Sequence, residues 1–136
     1  MKYLLDTNAL IHLFQAKEPI NSKVRSCEPG DICISGFTEA EILYGVENSS
    51  PEFREQNRIA RALGMQPFQR IYHDSNVSIE YGRIKAHLNK NNIYFPSNEL
   101  DIFIAATAIA KNLVLITQNI RDFDAIPNLT IENWSQ

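Results

Sequence analysis

Short apolar runs alternate with helix-period segments along almost the whole chain, and this alternation most constrains the fold. Residues 2–6, 32–35, 68–73 and 113–117 read as strands, and 129–131 as an edge strand. Helical patterns lie between them at 8–17, 21–27, 38–46, 51–63, 75–88 and 99–111. Strands that alternate with helices predict a parallel sheet covered on both faces, a three-layer α/β/α domain with a central, mostly parallel sheet. Ile32-Cys33-Ile34 is apolar on both sides of the pleat, as expected of such a buried sheet. The 136 residues suit one domain, 1–136, with one core. No repeat, low-complexity tract or linker divides them.

Several helix ends carry recognisable signals. Pro51 fits a first helical turn and Gly64 a helix stop. Asp74 and Thr38 stand where caps are expected, and Thr38 with Glu41 matches the capping-box spacing. Residues 99–111 are apolar around most of the circumference, so this helix is expected to be buried. Asp101 sits in its first turn, where the helix dipole favours a carboxylate.

Composition excludes several functions. No apolar run approaches the roughly 20 residues of a membrane span, and Asp6 interrupts the N-terminal run that a signal peptide would need. A cytoplasmic protein without membrane attachment is expected. Two cysteines make no disulfide framework, and no Cys/His spacing resembles a zinc site. A phosphate-binding Gly-rich loop and a Gly-x-Ser-x-Gly elbow are both absent. His73-Asp74 lacks the further ligands of a His-Asp phosphohydrolase and reads as a strand end and a helix cap. The net charge of −3 opposes tight non-specific binding to nucleic acid, so an RNA substrate requires a metal ion or a local basic patch. Arg54, Arg58 and Arg61 recur at i, i+4 and i+7 and form the one candidate stripe for RNA or a partner protein; a solvated face is the plain alternative.

Four acids carry the chemistry. Asp6 ends the first strand exactly where a helix begins, and ligands in open α/β sheets bind beyond the carboxyl ends of strands. Helix capping is its competing role. Glu41, Asp101 and Asp122 each adjoin an apolar element that can bring them to the same edge. Glu39 and Glu41 point to different helix faces, so only one can reach a shared site. Carboxylates gathered in one cleft repel each other unless a cation is present. Oxygen ligands select a hard ion, Mg²⁺ with Mn²⁺ as substitute, and such acidic sites suit phosphodiester hydrolysis.

These blocks also resemble a known family. Leu4-Leu5-Asp6-Thr7-Asn8, Thr38-Glu39-Ala40-Glu41 leading to Tyr44-Gly45, Leu100-Asp101-Ile102-Phe103-Ile104-Ala105-Ala106, and Leu115-Ile116-Thr117-Gln118-Asn119 with Arg121-Asp122-Phe123 are similar to PIN-domain ribonucleases. The nearest likeness is to the VapC toxins of type II toxin–antitoxin systems, in block order and over nearly the whole chain. The resemblance implies that Asp6 and Asp101 bind metal, that Glu41 and Asp122 complete the catalytic acids, and that Thr7, Asn8 and Asn119 support them. It further implies a Mg²⁺-dependent endoribonuclease acting as a toxin on cellular RNA, in some relatives a tRNA. A homodimer and a VapB-like antitoxin are the implied partners. Pro96-Ser97-Asn98-Glu99 and Gln118 depart from the usual pattern but remove no carboxylate. The competing reading is a catalytically inactive PIN-fold module that binds a protein or RNA, which would have no need of the ion.

Overall fold

A computed structural model describes residues 1–136. The elements in chain order are β1 (Tyr3–Leu5), α1 (Thr7–Phe14), α2 (Ile20–Arg25), β2 (Ile32–Ser35), α3 (Gly36–Glu47) and α4 (Pro51–Met65). Then follow β3 (Gln69–Ile71), α5 (Ser75–Lys90), α6 (Glu99–Ala110), β4 (Val114–Ile116), α7 (Ile120–Phe123) and β5 (Ile131–Glu132). The five strands form one sheet in the order β3-β2-β1-β4-β5, and every pairing is parallel.

Alternate side chains of the strands feed two cores. Leu4, Cys33 and Leu115 point to one face and pack with Val77, Ile84, Ile104 and Phe123 from α5, α6 and α7. Leu5, Ile34 and Ile116 point to the other, against Leu10, Ile20, Met65 and Trp134. Both faces are therefore covered, which is why the strands lack a polar side. All four residues of β2 are buried, and α6 buries six of its twelve.

The chain runs outward from β1 through β2 to β3, then returns to place β4 on the other side of β1. The connections leaving β1 and β4 thus diverge, and a crevice opens at the carboxyl ends of these two strands. Leu5 pairs with Ile116, so the next residues, Asp6 and Thr117, lie side by side at that crevice.

Two local expectations change. The third helix starts at Gly36, and its cap is Ser35, whose Oγ accepts from the Thr38 N–H at 3.1 Å. Thr38 is therefore inside the helix and fully buried, and the capping box with Glu41 does not form. Gly64 does not stop α4; it lies within the helix, where a Cβ would come within 2.5 Å of the Phe14 ring. Close approach of α1, not a turn, requires glycine there. After β4, Ile120–Phe123 form the short α7, which carries Asp122.

Candidate active site

Asp6 caps α1 and also faces the crevice, so its two competing readings coexist. Its Oδ1 accepts from the Ala9 N–H at 2.8 Å, and its own N–H donates to the Ile116 carbonyl at 3.0 Å. The residue is only 3% exposed. Burial pushes its carboxyl up to about 6; the Thr117 hydroxyl and the Ala9 N–H pull it down, while Asp101 and Glu41 push it further up. A carboxylate held this deep, with only neutral donors and other acids around it, is poised for a cation.

Glu41 projects from α3 toward the N-terminus of α1. Its Oε1 accepts from the Thr7 hydroxyl at 2.5 Å. Glu39 leaves by another face of α3, where it accepts from Arg70 at 3.1 Å and from the Tyr72 hydroxyl at 3.2 Å. Phe37 on α3 stacks on Phe103 on α6 with ring centres 4.9 Å apart, which holds together the helices that carry Glu41 and Asp101. Asp101 lies in the first turn of α6, capped by Asn98, whose Oδ1 accepts from the Asp101 N–H at 3.1 Å. Its carboxyl is raised by burial first and then by Glu41 and Asp122, against donors from Asn98 and Ser97. Asp122, on α7, accepts from the Ser97 hydroxyl at 3.0 Å.

The four acids thus form a chain of mutual influence, Asp6 with Asp101 and Glu41, Asp101 with Glu41 and Asp122. No Lys or Arg neutralises any of them, although ion pairs occur elsewhere on the molecule. Glu99, two residues before Asp101, is outside this set: it is exposed and pairs with Lys85 at 3.1 Å and with the Tyr81 hydroxyl. No three Asp, Glu, His or Cys side chains are arranged to enclose a metal ion by themselves. The donor set is oxygen only and fits Mg²⁺, an ion commonly held through one or two carboxylates with the rest of its shell water.

Thr7 and Asn8 line a cleft of about 370 Å³ with Glu41, Tyr44 and Leu100. A neighbouring cleft shares Ile11 and Glu41 and adds Asn57 and Arg61. Asn119 and Asp122 line a polar cleft with Arg121 and Asn133. The three arginines of the stripe differ in their partners. Arg58 is paired with Glu47 at 2.8 Å and with Glu55, and Arg54 lies 4.0 Å from Glu47. Arg61 has no acidic partner; its guanidinium lies 4.7 Å from the centre of the Phe14 ring. Thr117 and Ser97 were not singled out from the sequence. The strand register could have suggested Thr117, because it follows Ile116 as Asp6 follows Leu5. Ser97 lies in an irregular segment and gave no such signal.

Comparison with known proteins shows the family. The model of the PIN domain family matches residues 3–129. Ribonuclease VapC2 of Rickettsia felis is 32% identical over the full length of both chains. This chain belongs to the VapC ribonucleases of the PIN-domain family. The tRNA(fMet)-specific endonuclease VapC of Salmonella typhimurium is 30% identical, with 98% of each chain covered. A solved structure of DNA-bound VapBC from the same organism superposes with a TM-score of 0.89, at 30% identity and 98% coverage of both chains. The five-stranded parallel sheet with its helical layers is thus the VapC fold.

Proposed function

We propose that this VapC-type ribonuclease is a Mg²⁺-dependent endoribonuclease whose acidic site is Asp6, Glu41, Asp101 and Asp122, and that it acts as the toxin of a toxin–antitoxin pair. The observation that carries the reading is the convergence of unneutralised carboxylates on the β1/β4 crevice. Asp6 and Asp101 are the residues to hold the ion, with Glu41 and Asp122 completing the acidic rim. When bound, a divalent ion supplies charge stabilisation at the phosphoryl group and an activated water. The chain's part is positioning. Ala9 and Thr117 orient Asp6, Thr7 orients Glu41, and Ser97 orients Asp122. Thr7, Asn8 and Asn119 line the approach to the acids.

The substrate follows from the relatives named as tRNA(fMet)-specific endonucleases, so tRNA is the first RNA to test. Relatives of this fold have been solved as toxin–antitoxin complexes, which supports a VapB-like antitoxin as partner. A homodimer fits as well: α3 and α4 leave Leu43, Tyr44, Phe53, Ile59 and Leu63 exposed, an apolar surface that a partner would remove from water. No helix is long and apolar enough to cross a membrane.

Purified protein is expected to cut tRNA internally with Mg²⁺ or Mn²⁺ and to stop when EDTA is added. RNA that is bound but left intact under every divalent ion would favour the inactive binding module instead. Of the basic stripe, Arg61 is the side chain proposed to meet RNA, because Arg58 is already neutralised. Arg61→Gln should flatten the slope of log affinity against log salt by about one, and Arg58→Gln should leave it unchanged. Binding titrations at several salt concentrations decide this; equal slopes for the wild type and the Arg61 variant would remove the stripe from the RNA path.

A further inference from the structure

We infer that Thr38 is a positioning residue for Glu41, acting through Thr7 in a relay of hydroxyls that starts at Ser35. The inference rests on the acidic-site reading above and extends it to two buried residues outside the four acids. Ser35 and Thr38 are fully buried, yet both carry hydroxyls. The oxygens run in sequence: Ser35 Oγ lies 3.4 Å from Thr38 Oγ1, Thr38 Oγ1 lies 3.2 Å from Thr7 Oγ1, and Thr7 Oγ1 lies 2.5 Å from Glu41 Oε1.

Proton count fixes the direction. Each hydroxyl has one hydrogen to donate. Ionised Glu41 can only accept, so Thr7 gives its hydrogen to Glu41. The 3.2 Å contact between Thr7 and Thr38 then requires Thr38 as donor. Ser35 donates to Thr38 in turn, while its own lone pair accepts the Thr38 N–H at 3.1 Å. Every hydroxyl hydrogen in the relay therefore points toward Glu41. An array with this polarity fixes the Thr7 rotamer, and with it the position of the carboxylate.

The relay also links the elements of the site. Ser35 ends β2 and caps α3, Thr38 and Glu41 lie one turn apart on α3, and Thr7 opens α1 beside Asp6. Removing Thr38's hydroxyl leaves Thr7 without its donor and free to turn away from the carboxylate. Glu41 acts electrostatically on both proposed ligands, Asp6 and Asp101, so its placement bears on the ion from the rim. Loss of outer partners of a metal site typically changes metal affinity or activity by roughly 10- to 100-fold.

Thr38→Val replaces the hydroxyl by a methyl of similar size, and Thr38→Ser restores it. Two measurements without RNA read the effect. In metal-free protein, NMR should detect a slowly exchanging Thr7 hydroxyl proton in the wild type and in Thr38→Ser, and lose it in Thr38→Val. In a Mn²⁺ series, the concentration for half-maximal thermal stabilisation should rise roughly 10-fold or more in Thr38→Val and return in Thr38→Ser. If Val and Ser variants behave alike in both measurements, the hydroxyl has no positioning role and the inference falls. Should Thr38→Val not fold, Thr7→Val at the half-buried end of the relay takes its place, and an unchanged Mn²⁺ midpoint there overturns the inference equally. A wild type that shows the Thr7 proton but no Mn²⁺ response would refute the metal reading and leave the relay standing.

Discussion

Asp6→Asn is expected to lose RNA cleavage by roughly a hundredfold or more while making the metal-free protein more stable at neutral pH. Loss of activity follows from removing a charge from the proposed metal site with almost no change in volume. The gain in stability follows from burial. Asp6 has its carboxyl raised from 3.8 to about 6, chiefly by desolvation. The folded state therefore binds this proton more tightly than the unfolded state does. Its stabilising effect is complete below about pH 4 and is lost as pH rises through about 6. At pH 7 the ionised group costs the fold about 3 kcal/mol, on the order of 10 °C in melting temperature for a chain of this size. Asparagine keeps the acceptor for the Ala9 N–H and caps well, so the helix start survives. Thermal melts in EDTA at pH 4 and pH 7 test this: the two proteins should melt together at the lower pH and diverge at the higher. Parallel curves at both values would mean that Asp6 is hydrated and is not held in the strained state that makes it a candidate ligand. Other acids, such as Asp74 beside Lys111, are lowered and stabilise with rising pH, but they do so in both proteins and cancel from the difference.

Two of the candidate carboxylates, Asp6 and Asp101, stand out in the sequence because each sits where an apolar element ends or begins. Leu4-Leu5 before Asp6 marks a strand end, and the apolar run after Asp101 marks a buried helix. The two-residue offset of Glu39 and Glu41 correctly sent them to different faces. What supports the acids was harder to read. Thr117 and Thr38 are neutral, buried and common residue types, and their contacts are set by strand register and by helix placement, not by neighbours in sequence. Ser35 and Thr38 both suit a cap, and only the structure distinguishes the residue that accepts from the one that is enclosed. Gly64 carried a stop signal that steric contact with Phe14 explains better. The arginine periodicity was visible, but its neutralisation depends largely on Glu47, which belongs to the preceding helix. Local periodicity thus yields the elements and their ends, whereas the pairing of side chains between elements needs the packed fold.

Mn²⁺ or Mg²⁺ is expected to raise the melting temperature, and Asp101→Asn to remove most of that gain. A ligand that binds only the folded state stabilises it by RT ln(1 + [L]/Kd), about 2.7 kcal/mol at a hundredfold excess over Kd. Asp101 is half-buried, and its carboxyl is raised by burial, then by Glu41, with Asp122 adding to the repulsion. Asparagine at this position removes that repulsion together with one proposed ligand. The metal-free variant should therefore melt at or above the metal-free wild type, yet respond little to added ion. Protons and metal compete for the same carboxylates, so the wild-type gain should grow as pH rises from about 4 to 7, the interval in which Asp6 ionises. Glu99→Gln supplies the control, since Glu99 is engaged with Lys85 and Tyr81 and should leave the metal response intact. Differential scanning fluorimetry across a Mn²⁺ series at two pH values gives all of these readings. An Asp101→Asn protein that gains as much as the wild type would take Asp101 out of the ligand set, and the ion would then have to rest on Asp6 with Glu41.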